Sequence, residues 1–258
     1  MFKFPVGILA IAWFASSHLA ADPTPPHLLV PAYFYPVGEG MKSWETLLDS
    51  ASKAPIVAIV NPASGPGKKV DPNYTTVFTK GKESKATLIG YITLSYAKRP
   101  LAEVLAEVDR WIEFYPQIRG IFFDEQPSDA KNLPFSLQAF AHARKKIDKA
   151  LVISNPGTNC DAGYVGEKGA TATCLFEGPG GFGKYKAPDW VAKAGTGKTA
   201  LLTYGVEAID MKVAMQLAMK AKVGYVFVTD AKGANPWDRL PTYWDETVAL
   251  VGGNLKAK

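Results

Sequence analysis

The feature that most constrains the fold of this 258-residue chain is a regular alternation of short apolar runs with amphipathic helical segments. The runs are rich in Val, Ile, Phe and Tyr, as strands are. Eight of them are found, at residues 27–35, 55–62, 86–96, 119–125, 150–155, 170–177, 199–204 and 223–230. Their nearly continuous apolarity indicates parallel strands that are covered on both faces.

Helical patterns lie between these runs. The clearest spans residues 100–115, where Pro100 suits a first-turn position and the apolar residues form one stripe. Similar patterns occupy 43–53, 134–147, 209–221 and 240–251, and weaker ones with Gly and Pro interruptions follow the second, fifth and sixth runs. This order predicts an α/β fold, a single (β/α)8 TIM barrel. An open doubly wound sheet is the alternative, but the first run ends at Tyr33 to Pro36 without the glycine-rich phosphate turn of such sheets.

The first 21 residues have the layout of a signal peptide. Lys3 provides a positive start, residues 6–14 form an apolar run, and small residues surround Ala20 and Ala21. The run is shorter than the ~20 residues of a membrane-spanning helix. We therefore expect a secreted or periplasmic protein with a barrel domain at 22–258 and no membrane span after signal removal, the alternative being an uncleaved anchor.

Composition and charge limit the partners. With 47% hydrophobic and 21% charged residues, the chain is typical of a packed globular domain, and we expect a monomer. The net charge of +5 is not gathered into a continuous basic stripe, so no nucleic-acid partner is expected. Cys160 and Cys174 could form a disulfide or remain two buried thiols. Together with three scattered histidines they provide no zinc-binding spacing, and neither metal nor cofactor is expected.

Acidic residues end two of the predicted strands, and the active site of such barrels lies at those ends. Asp124 and Glu125 follow three bulky apolar residues, and Glu177 ends the sixth run. An apolar wall and a neighbouring like charge raise a carboxyl pKa, as a general acid requires. The alternative is that these acids cap helices or form ion pairs. We expect Asp124, Glu125 and Glu177 to be catalytic.

Aromatic and amide residues at the same ends suit a sugar, because aromatic rings stack on its C–H face while polar groups bind its hydroxyls. The strand ends carry no histidine or cysteine cluster, which argues against triad, thiol and zinc chemistry. The expected substrate-binding residues are Tyr33, Tyr35, Asn61, Asn155, Tyr204, Asp230 and Trp237.

Four motifs resemble the spherulin 4-like family (spherulation-specific family 4). They are Leu29 to Pro36, the Asn-Pro turn at residues 60–67, Gly120 to Glu125, and Phe176 to Gly178. The resemblance implies similarity to glycoside hydrolase family 135, whose members are barrels acting as endo-α-1,4-N-acetylgalactosaminidases. It also implies that the three essential acids of the family correspond to Asp124, Glu125 and Glu177.

The hypothesis that follows is retaining endo-hydrolysis of an exopolysaccharide that contains N-acetylgalactosamine or galactosamine. Asp124 is interpreted as the nucleophile, Glu177 as the acid/base, and Glu125 as a third acid that tunes them or holds the sugar. The alternative is a non-catalytic carbohydrate-binding or cell-surface protein on the same barrel, which would need the aromatic residues but not the acids.

Overall fold

The computed structural model describes residues 25–253, so the predicted signal peptide lies outside the described residues. Eight parallel strands pair in sequence order, and β8 closes the sheet against β1. The single (β/α)8 barrel predicted from the sequence is confirmed.

The strands and helices alternate almost throughout. The strands are β1 His27–Ala32, β2 Ile56–Val60, β3 Thr87–Thr93, β4 Gly120–Asp124, β5 Leu151–Ser154, β6 Ala172–Pro179, β7 Thr199–Tyr204 and β8 Tyr225–Val228. The helices are α1 Glu39–Ser50, α2 Pro72–Gly81, α3 Leu101–Phe114, α4 Leu133–Lys146, α5 Trp190–Ala194, α6 Ala208–Lys220 and α7 Trp244–Val251. Between β5 and β6 stands only the short 3-10 helix Ala162–Tyr164.

The connections with weak helical patterns differ from one another. After β2, α2 is a regular helix because Asp71 caps it, its carboxylate accepting a hydrogen bond from Asn73 N at 2.9 Å, and Pro72 occupies the first turn. After β6, α5 has only five residues. Gly and Pro interruptions therefore shorten the helices beside β6 more than the helix after β2.

Helix α3 shows how the outer layer packs on the sheet. Trp111 is fully buried, and its indole N–H donates to Tyr91 O at 2.9 Å. The ring lies directly over Gly90, where an added Cβ would come within 2.5 Å of Trp111 and 2.7 Å of Ile118. Glycine at position 90 is what lets α3 approach β3 so closely.

Cys160 and Cys174 are separate buried thiols in the described part of the chain, which resolves the alternative left open by the sequence. Among residues 25–253, no helix is long and apolar enough to cross a membrane.

Candidate active site

A cavity of about 290 Å³ opens at the C-terminal ends of the strands. It brings together five of the residues predicted for the site, namely the three acids, Asn155 and Tyr204. The full lining is Tyr96, Asp124, Glu125, Asn155, Pro156, Gly157, Glu177 and Tyr204. The acids thus share one hollow at the mouth of the barrel, at the small end of the size range of ligand sites.

Asn155 connects two of the acids. Its side-chain Nδ2 donates to Asp124 Oδ1 at 2.8 Å and to Glu177 Oε2 at 2.5 Å, using both amide hydrogens. The two carboxylate oxygens are therefore within about 5.3 Å of each other, the sum of the two bond lengths. Asn155 is itself 5% exposed, and its Oδ1 accepts from Gly157 N at 2.8 Å, so the amide is held in one orientation.

Burial raises the pKa of both linked carboxyls. For Asp124, hydrogen bonds from Tyr91, the Glu125 backbone and Asn155 oppose the effect of burial but do not cancel it. For Glu177, hydrogen bonding by Asn155 lowers the pKa, the charge of Asp124 raises it, and the Trp237 indole lowers it slightly. Two coupled carboxyls in such surroundings hold a proton more readily than exposed ones do.

A β-bulge directs Glu177 toward the cavity. Cys174 pairs with Ala200, but the next pairs are Phe176 with Leu201 and Glu177 with Leu202, so Leu175 is an extra residue. Ala200 and Leu202 lie on the same face of β7, and their partners Cys174 and Glu177 therefore face the same way. Without the bulge, strict alternation would place Cys174 and Glu177 on opposite faces.

Glu125 lies beside the pair in an unusual backbone conformation. Its φ of 49° is in the left-handed region, which residues other than glycine adopt infrequently. Its carboxylate Oε2 accepts from Thr93 Oγ1 at 2.5 Å, and its carbonyl accepts from Tyr96 N at 2.7 Å. Left-handed geometry at position 125 allows two consecutive acids, Asp124 and Glu125, to line the same cavity.

Tyr91 is a site residue that the sequence reasoning missed. Its hydroxyl donates to Asp124 Oδ2 at 2.8 Å, and its ring packs edge-on against Tyr33 with centroids 5.8 Å apart. Position 91 is in the middle of an apolar strand. The one signal in the sequence that could have indicated a functional role is a tyrosine among aliphatic residues. Burial, then the charge of Asp124, raises the pKa of Tyr33 well above its usual value. Tyr33 therefore lies close to the acids below the mouth.

Trp237 lies beside the mouth rather than open to it. It is 7% exposed and packs edge-on against Tyr204, with centroids 5.7 Å apart, and against Phe227. It supports Tyr204, which lines the cavity.

Five of the seven residues predicted to bind substrate are not in the cavity lining. Tyr33 and Trp237 lie next to it, whereas Tyr35, Asn61 and Asp230 have other partners. The Tyr35 hydroxyl donates to Asp71 Oδ2 at 3.0 Å on the exposed side of the first loop. Asn61 Oδ1 accepts from Gly65 N at 3.0 Å and closes its own turn.

Asp230 is paired with Arg239 at 2.9 Å and also accepts from Thr242 N and Oγ1. Burial alone would raise the pKa of Asp230, but these partners lower it below its usual value. The polar groups of Tyr35, Asn61 and Asp230 are therefore hydrogen-bonded to loop residues. The geometry gives no support to the prediction that these three residues bind substrate.

A larger surface cleft of about 870 Å³ lies at the other end of the barrel, near the loops that precede β2 and β3. Its walls carry charges of both signs, and Lys80 pairs there with Glu45 at 3.0 Å. The acids predicted to be catalytic are all in the smaller cavity.

Fold and site together define an acid-lined (β/α)8 barrel with two linked carboxyls at its mouth. The chain belongs to spherulation-specific family 4, whose model matches residues 27–251, as the sequence motifs predicted. It is 28% identical over 263 residues to spherulin-4 of Physarum polycephalum, a match that covers 97% of this chain and 77% of the relative.

Solved structures share the fold. Aspergillus clavatus Sph3, solved in complex with GalNAc, superposes with a TM-score of 0.74 at 24% identity, over 89% of this chain and 98% of that one. A β-mannanase from Streptomyces thermolilacinus, solved with mannohexaose, matches with a TM-score of 0.50 at 11% identity over 91% of each chain.

Proposed function

We propose that this chain is a retaining glycoside hydrolase that cleaves within a polysaccharide containing N-acetylgalactosamine or galactosamine. The observation that carries the proposal is the link from Asn155 to both Asp124 and Glu177, which holds their oxygens within about 5.3 Å. Retaining glycosidases have carboxyl groups ~5 Å apart, whereas inverting enzymes need ~6.5–9.5 Å to admit a water molecule.

The hydrogen bonds support a division of roles within the pair. Asp124 accepts from both Tyr91 and Asn155, which stabilises its ionised form and suits a nucleophile that attacks the anomeric carbon. Glu177 accepts from Asn155, and its raised pKa suits a general acid. In the first step Glu177 gives its proton to the leaving oxygen while Asp124 bonds to the sugar. In the second, Glu177 takes a proton from the water that releases the sugar from Asp124.

Glu125 is assigned the part of a third acid that holds the sugar or tunes the pair. Its carboxylate is fixed by Thr93, on the strand next to that of Asp124. That bond orients the carboxylate within the cavity lining.

The sugar is inferred from the family and from the GalNAc in the Aspergillus structure. In an α-linked N-acetylgalactosamine the acetamido group is on the same face as the leaving oxygen, so it cannot attack from the opposite side. Retention at such a bond requires a carboxylate of the protein, which is the part given to Asp124.

The experiment is the release of reducing ends from a galactosamine-rich exopolysaccharide. Wild-type protein is expected to release them, and Asp124→Asn and Glu177→Gln to lower the rate by at least a hundredfold. The matched controls are Asp245→Asn and Glu246→Gln, two exposed acids of α7, which should keep the wild-type rate. Equal release by the site variants and the controls would overturn the proposal, and sugar binding without any release by wild type would instead favour a carbohydrate-binding protein.

Proton NMR of the first product separates the two stereochemical courses. Retention predicts that the newly formed end has the configuration of the cleaved bond before mutarotation. The opposite configuration would exclude Asp124 as a nucleophile.

We also propose export of the mature domain, with residues 1–21 as its signal, since its polysaccharide substrate would be outside the cell. N-terminal sequencing of protein recovered from outside the cytoplasm tests this, with an N-terminus at residue 21 or 22 expected. Retention of the full-length chain in the cytoplasm would contradict it.

A further inference from the structure

The turn after β3 carries three consecutive residues in the left-handed region. Ser95, Tyr96 and Ala97 have φ values of 43°, 53° and 61°, and none of them is glycine. Each has a Cβ that makes this conformation unfavourable, so a run of three is costly for the chain. Such strain persists where the surrounding structure imposes it, and it is often found at ligand-binding positions.

Hydrogen bonds to the strand ends hold the turn in place. Ser95 N donates to Thr93 Oγ1 at 2.9 Å, and Ala97 N donates to Leu94 O at 2.9 Å. Tyr96 N donates to Glu125 O at 2.7 Å, so the left-handed turn is bonded to the other left-handed residue of the site. The backbone of Tyr96 is therefore tied directly to the pair of consecutive acids.

The turn places the ring of Tyr96 in the lining of the cavity that holds the acids. The ring does little packing, because the residue is 50% exposed, whereas Tyr33 and Tyr91 below the mouth are largely covered. Burial, then the charges of Glu125, Asp124 and Glu177, raises the pKa of Tyr96. The phenol thus lies within electrostatic reach of all three acids and stays neutral at physiological pH.

Packing does not account for this arrangement. Lys98 Nζ lies 5.9 Å from the centre of the Tyr96 ring, and both side chains are at the surface. A half-exposed aromatic ring on a strained, hydrogen-bonded turn beside a cavity has surface available for a ligand.

We propose that Tyr96 is the aromatic platform on which the sugar in the cavity stacks, and that the left-handed turn exists to place it there. The inference rests on the proposed function, because it takes a sugar to be the ligand. Stacking on the C–H face of a sugar contributes equally to the ground state and the transition state, so Tyr96 should determine KM more than kcat.

The test is the affinity for N-acetylgalactosamine, measured by calorimetry, together with kcat and KM on the polysaccharide. Tyr96→Asn removes the ring but suits the left-handed backbone, so the turn is expected to survive. It should weaken sugar binding and raise KM by about tenfold, with kcat changed less than threefold. Tyr96→Phe keeps the ring and should stay within threefold of wild type in both affinity and KM.

Ile209→Ala is the control for loss of exposed apolar surface, since Ile209 is 87% exposed on α6 and lies outside the cavity lining. Thermal unfolding of each variant checks that the fold is kept. Affinity of Tyr96→Asn equal to that of the control would overturn the inference, as would a loss in Tyr96→Phe as large as in Tyr96→Asn.

The two readouts separate this inference from the proposed function. Sugar binding that depends on Tyr96, without any release of reducing ends by wild type, would support the role of Tyr96 and contradict the proposed hydrolase activity. Hydrolysis that is unchanged in Tyr96→Asn would support the proposed activity and contradict the role of Tyr96. Wild-type protein that neither binds nor cleaves the sugar would contradict both proposals.

Discussion

Asp124 and Glu177 lie on β4 and β6, which are not neighbours in the barrel, and they are linked by a residue that follows the strand between them. Asn155 follows the end of β5 and donates from one nitrogen to both carboxylates. Each hydrogen bond stabilises the ionised form of its acceptor and lowers its pKa against the effect of burial. The pair is therefore tuned jointly by one side chain.

Asn155→Ala is expected to raise the pKa of both acids, because it removes the donor that each of them shares. If Asp124 must be ionised and Glu177 protonated, both limbs of the bell-shaped profile of kcat/KM against pH should move to higher pH. We expect kcat at neutral pH to fall by about a hundredfold, the usual effect of losing one well-placed donor. Asn159→Ala, which removes an exposed amide that bonds Lys186 O, is the control and should leave the profile unchanged. A profile of wild-type shape in Asn155→Ala would contradict the linkage.

Tyr91→Phe is expected to affect only one of the two limbs. The Tyr91 hydroxyl donates to Asp124 and to no other acid, so its loss should raise the pKa of Asp124 and move the acidic limb to higher pH. The basic limb, which reports Glu177, should stay where it is, and the bell becomes narrower. Tyr225→Phe, a buried tyrosine at the first residue of β8, is the control. Movement of both limbs by equal amounts would argue against Asp124 as the group on the acidic side.

The sequence predicted the barrel because apolar runs at regular spacing have few other solutions, and acids at strand ends then converge. It did not identify Tyr91, because the inward direction of a mid-strand residue depends on register. The direction of Glu177 depends on the bulge at Leu175, which alternation alone does not reveal. Asn61 and Asp230 ended predicted strands equally well, but loop hydrogen bonds occupy their side chains, and those partners are known only once the loops are folded.

Gly90→Ala is expected to destabilise the fold without touching the cavity. The new methyl group would lie 2.5 Å from Trp111 and 2.7 Å from Ile118, both deeply buried, so strand and helix would have to separate. Overpacking of this kind costs about 1–3 kcal/mol. The free energy of unfolding in urea measures it, and Gly183→Ala, where a Cβ meets no atom within 4 Å, is the matched control. An equal stability for the two variants would show that α3 can yield at this contact.

Glu177→Gln is expected to stabilise the protein at neutral pH. Burial raises the pKa of Glu177 in the folded state above its unfolded value, so its ionisation opposes folding. The wild type therefore loses stability as pH rises from the unfolded pKa through the folded one, and the variant, having no charge to form, does not. The difference in Tm should be near zero at pH 4 and grow toward pH 7. There, each 1 kcal/mol corresponds to roughly 2–4 °C for a chain of this size.

Glu246→Gln on the exposed surface of α7 serves as the control and should show no such pH-dependent gain. A lower Tm for Glu177→Gln than for wild type at pH 7 would mean that the carboxylate is stabilised in its cavity rather than held there at a cost. That result would contradict the raised pKa on which its part as a general acid depends.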